Sequence, residues 1–297
     1  MGSRFLNPDL RISTMTQIGH LSSCIRLEAL YEYLQVKDCI QYLEYGDKPG
    51  KGVRAKPKKV SKKSVHPEKP TKRKKYFYNQ VTIHLFHTKI INVKVFNNGS
   101  VQMTGLKGEN QGYETIQLLL DEIGGLPETQ RRQIFSETHN ISDAYRKSRK
   151  SEPILSTLYS FAPEPTLVRT QMVMINSDFD IGFPIDREVL HRSVVEEGYY
   201  SSFEPVIYPG VNIKYYHNPS KQLTGVCNCE CMCDGKGKNG CCKKVTVAVF
   251  KSGKIIITGG QSVAQLNTAY EFITGFIRKR EDSIRFASKG EPLAVLS

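Results

Sequence analysis

The sequence predicts an α+β fold built from two copies of one sheet-and-helix module. Three observations carry this. Residues 93–105, VKVFNNGSVQMTG, and residues 247–259, VAVFKSGKIIITG, share the pattern V-x-V-F-x-x-G-x-x-x-x-T-G. Phe96, Gly99, Thr104 and Gly105 thereby match Phe250, Gly253, Thr258 and Gly259, and such a repeat outranks any single element as a guide to architecture. Upstream, Tyr78-Asn-Gln-Val-Thr-Ile parallels Tyr208-Pro-Gly-Val-Asn-Ile. Finally, both halves run in the same order: a strand, a helix, several strands, a helix.

The elements follow from local pattern. RISTMTQI opens the first half as a strand, and CIRLEALYEYL follows with helical spacing. In the second half VRTQMVMINSDFDIGF and IDREVLHRSVVEE take the same places. Alternation before each repeated Phe predicts a strand, and N-N-G or K-S-G predicts a hairpin turn into the next. YETIQLLLDEI and VAQLNTAYEFITGFI then recur at three- and four-residue spacing, as a half-buried helix does. The expected boundaries are 8–126 for the first repeat, with a basic insertion at 46–75, and 127–166 for a polar linker. The second repeat is expected at 167–280, with a cysteine-rich insertion at 219–244, and a tail at 281–297.

Charge is concentrated. Residues 46–75 hold thirteen Lys and Arg against Asp47 and Glu68, so nearly all of the formal net charge of +13 lies there. Lys and Pro at this density cannot build a core, and the segment is expected to be disordered and to seek polyanions. Its uses are a phosphate-neutralising arm, an import signal of the PTKRKK kind, or a solvated tail. No apolar run is long enough to span a bilayer, and MGSRFLNPDLRIS lacks the apolar stretch of a signal peptide. The expectation is a soluble intracellular monomer with no membrane partner.

Six of the eight cysteines, Cys227, Cys229, Cys231, Cys233, Cys241 and Cys242, fall in one sixteen-residue window. Without a signal peptide a metal site is favoured over a disulfide scaffold. Four thiolates satisfy a structural zinc ion, and Gly235, Gly237 and Gly240 allow the tight loops required. Six thiols exceed one tetrahedral site, so the ligand set stays open, with disulfides and free thiols as the alternatives. His217 is a further candidate ligand or a surface histidine. No P-loop, HExxH or nucleophile triad is present, and an enzyme is not expected.

FEPVIYPGVNIKYY followed by VTVAVFKSGKIIITG closely resembles the second repeat of the TATA-box-binding protein family, and VFNNGSVQMTG and ISTMT resemble the first. The ISTMT start and the cysteine insertion are similar to divergent members from large DNA viruses. The resemblance implies a saddle: two pseudo-symmetric repeats of a curved antiparallel sheet, helices on the convex side, and the concave face in the minor groove of promoter DNA. It implies a transcription initiation factor that bends the duplex with aromatic wedges, here Tyr78 and Phe96, and Tyr208 and Phe250. Pro209 would stiffen the loop carrying Tyr208. Thr104 would share a face with Phe96, and Ile256 and Thr258 with Phe250. The positions matching the family's central pair of Asn are Thr16 and Met174, with Asn176 two residues on and on the same face. Implied partners are a transcription factor IIB-like protein, through Glu204, and RNA polymerase. The family's second acidic position is Val206. The implied location is the host nucleus or a cytoplasmic viral factory. The alternative is a transcription scaffold that kept the saddle and lost DNA bending.

Overall fold

The repeated V-x-V-F-x-x-G stretch forms the same hairpin twice. In the computed structural model, which describes residues 6–54, 76–135, 165–218, 224–230, 233–236 and 240–286, β5 (Ile90–Phe96) turns into β6 (Ser100–Leu106), and β10 (Lys243–Val249) into β11 (Lys254–Gly260). Each turn is closed by its glycine: the Gly99 N–H donates to the Phe96 carbonyl and the Gly253 N–H to the Phe250 carbonyl. Both glycines have positive φ, +76° and +88°. A Cβ on Gly99 would lie 2.3 Å from the carbonyl oxygen of Ser23, and one on Gly253 2.3 Å from that of Phe183. No other residue fits so close to a backbone oxygen in that conformation.

Two units contain these hairpins: Thr16–Gln171, the first-repeat unit, and Met1–Met15 with Met172–Ser297, the second-repeat unit. The first-repeat unit orders its strands β3-β2-β4-β5-β6-β1, using β1 (Arg11–Leu21), β2 (Ile40–Tyr45), β3 (Lys51–Gly52) and β4 (Gln80–Phe86). The second orders them β7-β11-β10-β9-β8, using β7 (Leu167–Asp180), β8 (Tyr200–Ser202) and β9 (Val211–His217). β2 pairs antiparallel with β4, β4 with β5 and β5 with β6, as do β7 with β11, β11 with β10 and β10 with β9. The sequence boundary at residue 8 differs from this division, because the N-terminal residues bond within the second-repeat unit. Arg11 pairs with Asp178 at 2.7 Å, Asn7 N–H donates to Asn267, and Tyr270 donates to Asp9.

Helices cover one face of each sheet. The first-repeat unit has α1 (Leu27–Tyr33), α2 (Gln111–Gly124) and α3 (Glu128–Ile134). The second has α4 (Arg187–Glu196), α5 (Val263–Arg278) and α6 (Glu281–Ile284). Ile91, Val93, Val95, Val101 and Met103 are fully buried, as are Ile116 and Leu119 of α2. Val245, Val247, Val249, Ile255 and Ile257 are buried likewise, with Leu266, Ile273 and Ile277 of α5. Each such side chain contributes about 1.5–3 kcal/mol of transfer free energy. Even the helix entries repeat: Gln111 Oε1 accepts from the Lys107 N–H at 2.8 Å, and Gln265 Oε1 from the Gln261 N–H at 2.7 Å.

The repeat runs further than the sequence pattern showed. The expected linker at 127–166 begins with α3, and the expected tail at 281–297 begins with α6. Ile134 and Ile284 are both fully buried, and their carbonyls accept from the Arg26 and Asp186 N–H groups at 2.8 and 2.7 Å. These are matching elements, hidden in sequence because one buried isoleucine in a polar helix leaves little periodicity. The basic insertion also begins as structure. β3 pairs with β2, and Lys51 Nζ donates to the Tyr31 and Glu32 carbonyls at the end of α1. A cation at a helix C-terminus is favoured by the exposed carbonyls there. The bulk of the basic segment, 55–75, lies outside the described residues, as does 136–164 of the linker.

Candidate nucleic-acid interface

The face of the second-repeat unit left uncovered by helices is built from alternate residues of three strands. Asn212, Ala248 and Ile256 lie side by side, as do Lys214, Thr246 and Thr258. Phe250, just past β10, continues that alternation. Tyr208 comes from the loop ahead of β9 and meets the Phe250 ring edge-on, with centroids 5.8 Å apart. A Cβ on Gly210 would sit 2.9 Å from the Tyr208 ring and 3.2 Å from that of Phe250, so the glycine lets the two rings approach. The Arg187 guanidinium donates to the Pro209 carbonyl and lies over Phe203, tying this loop to α4. Thr258 donates to Asn176, and Lys214 Nζ donates to Thr246 at 2.9 Å. Burial and the neighbouring Lys244 charge push the Lys214 ammonium below its ordinary range.

The first-repeat unit presents the matching lattice with different chemistry. Thr82 and His84 of β4 stand beside Lys94 and Asn92 of β5, which stand beside Gln102 and Thr104 of β6. Phe96 ends β5 opposite Gln80. Tyr78 is 58% exposed, against 37% for Tyr208. It rests edge-on to Tyr45, with centroids 6.4 Å apart, over Gly46, where a Cβ would come within 2.7 Å of the ring. Desolvation and then Asp47, through its charge and a hydrogen bond, raise the Tyr78 phenol pKa. His84 is buried against Tyr42 at 5.1 Å; its pKa is lowered by burial and by Arg54. Thr16, on β1, is buried.

The cysteine loop gathers four of its thiols. The Sγ atoms of Cys227, Cys229, Cys233 and Cys242 all lie within 4.8 Å of one another, an arrangement that can hold a metal ion. Two backbone amides point into the cluster: Cys241 N–H donates to Cys229 Sγ, and Gly235 N–H to Cys233 Sγ, each at 3.4 Å. The first of these brings the Cys229 thiol down to about 7, whereas burial raises that of Cys242. Gly240, at φ +82°, has Cys233 Sγ 2.8 Å from where a Cβ would stand. Four sulfurs with amide support are the donor set of a closed tetrahedral site. Among the described cysteines of the window these four gather; Cys241 is exposed and offers its backbone, and Cys231 lies outside the described residues. His217 is neither a surface group nor part of the cluster. It is buried and bonded to Thr268 at 3.1 Å.

Of the residues singled out from sequence, Phe250, Ile256, Thr258, Tyr208 and Asn176 come together in one unit, and Phe96 and Thr104 share a face in the other. Lys214, Asn212, Thr246 and His84 join these faces although sequence reading had not named them. Alternation back from Phe250 reaches Thr246, but Asn212 and Lys214 need the β9–β10 register. No described helix is long and apolar enough to cross a membrane.

Two antiparallel repeats with helices on one face and an aromatic-edged open face on the other define the TATA-binding-protein class of fold. Residues 170–280 match the family Transcription factor TFIID (or TATA-binding protein, TBP), so the second repeat is a domain of that kind. Over most of its length the chain is similar to a protein described in the same terms. It is 26% identical over 288 residues to a "TATA-box-binding protein-like" protein of Acanthamoeba polyphaga mimivirus, an alignment covering 91% of this chain. The chain spans 65% of the length of that relative. The Methanococcus jannaschii TBP structure aligns with 92% of the chain and 99% of its own, at 15% identity and a TM-score of 0.48.

Proposed function

We propose that this protein is a transcription initiation factor that binds promoter DNA through the open faces of its two repeats, enters the minor groove and bends the duplex. The observation that supports this most is the Tyr208–Phe250 ring pair, brought together at Gly210 on the edge of a face that carries Ala248, Ile256, Thr246 and Thr258. A minor groove offers few base-specific groups, so a surface of Ala, Ile and Thr senses its width, and rings at its rim unstack a base step. Bending is read by energy transfer between the ends of a labelled A·T-rich duplex. Phe250→Ala should weaken binding and lose most of the transfer change while the protein keeps its melting temperature. A mutant that unfolds, without a separate binding defect, would make Phe250 a core residue.

The loop before β9 is the proposed contact for a transcription factor IIB-like protein, and through it RNA polymerase. Val206 is 98% exposed at its tip beside Glu204, whose carbonyl accepts from the Ile207 and Tyr208 N–H groups. The four-cysteine cluster is proposed to hold one structural zinc ion. Elemental analysis of reduced protein prepared without chelator should find about one zinc per chain, and Cys229→Ser should abolish it.

A further inference from the structure

At one register position the two repeats carry opposite chemistry. In the second-repeat unit the cross-strand pair on the side away from the buried Val247 and Val249 is Ala248, 3% exposed between its larger neighbours, beside Ile256. In the first-repeat unit the same place in the repeated hairpin holds Lys94 beside Gln102. Both pairs lie two residues ahead of the repeated Phe and two ahead of the repeated Thr, so they stand at the same point on their faces. Val93, Val95, Val101 and Met103 between them are fully buried, which fixes Lys94 and Gln102 on the uncovered side. A slip of one residue would turn that buried set outward, so the register is firmly set.

We propose that the two open faces read different base pairs: the Ala248–Ile256 face accepts only A·T pairs, and the Lys94–Gln102 face tolerates G·C. This rests on the minor-groove reading above. In that groove every pair shows acceptors, A N3 and T O2 for A·T, and G·C adds one donor, the guanine N2 amino group. Ala248 and Ile256 hold nothing that accepts a hydrogen bond, so an amino group pressed onto that pair loses water and gains no partner from it, Asn212 standing on the far side of Ala248 from Ile256. Gln102 offers a carboxamide oxygen that can accept from the N2 amino group, and Lys94 donates to the neighbouring acceptors. Binding is then directional along an asymmetric element, one half restricted to A·T and the other not.

The test adds only that amino group. Diaminopurine replaces adenine at one position after another in a bound A·T-rich duplex, and affinity is read by gel shift. In one half each substitution should weaken binding about tenfold or more, and in the other about twofold or less. Lys94→Ala with Gln102→Ile should extend the tenfold penalty to the tolerant half, which identifies that half as the first repeat's. Ala248→Lys with Ile256→Gln should relieve the penalty in the other half, a gain that an unfolded variant cannot mimic. Equal penalties in both halves of the wild-type scan would overturn this inference and leave DNA binding standing. Failure to bind any duplex would overturn the minor-groove reading itself, and this inference with it.

Discussion

The two repeats share a frame and differ on the surface they leave open. Gly99 and Gly253, the Gln111 and Gln265 caps, and buried Ile134 and Ile284 are the same solutions used twice. On the open faces, Lys94 and Gln102 replace Ala248 and Ile256, and His84 stands in β4 where Lys214 stands in β9. Tyr208 packs on Phe250, whereas Tyr78 leans on Tyr45. The frame is held by packing and backbone geometry, which tolerate little variation. The open face carries no such burden, so its chemistry has diverged.

That contrast can be broken at the frame. Gly99→Ala and Gly253→Ala each force a Cβ onto a carbonyl oxygen in a left-handed conformation. Each should destabilise by about 3 kcal/mol or more, read as loss of denaturation midpoint. Similar losses at both would confirm that the frame is symmetric; a neutral effect at either would show that its turn relaxes. The next largest effect is on the open face. Phe250→Ala should cost DNA binding about 2 kcal/mol, roughly thirtyfold in affinity, and Phe96→Ala distinctly less, because among the described residues only Phe250 of the two is braced by a ring from the preceding loop. Equal losses would remove the asymmetry.

A smaller effect belongs to the basic segment. Deleting 55–75, and sparing Lys48, which pairs with Glu28 of α1 at 2.7 Å, and Lys51, should lower affinity and flatten its salt dependence by about 0.9 in log–log slope per lost phosphate contact. Sequence preference should hold, because phosphate contacts carry no base information. An unchanged slope would send that charge to an import receptor or an acidic protein.

The smallest effect is pH dependence at His84. Burial lowers its folded pKa below the ordinary value of about 6.5, so the unfolded chain binds the proton more readily. Stability should therefore be full above that value and fall as pH drops through and below it. Thermal melting at pH 7.5 and 5 should show the loss, and His84→Gln should reduce it. An identical loss in the variant would assign it elsewhere, for instance to His217, which burial shifts the same way.

Residue pattern alone sufficed for the duplication, the two hairpins, the four helical stretches and the side of each strand that carries Phe96 or Phe250. It could do so because strand and helix periods leave a mark on every residue, and a glycine at positive φ leaves one at each turn. It did not reveal α3 and α6, whose single buried isoleucines make no period, or the place of Lys51 at the end of α1. Nor could it choose among six cysteines in one window. Only the tertiary structure brought four sulfurs within reach of one ion and turned the Cys241 backbone, rather than its thiol, toward them. Cross-strand register likewise set Lys214 beside Thr246 and Lys94 beside Gln102, since alternation assigns a face but not a neighbour.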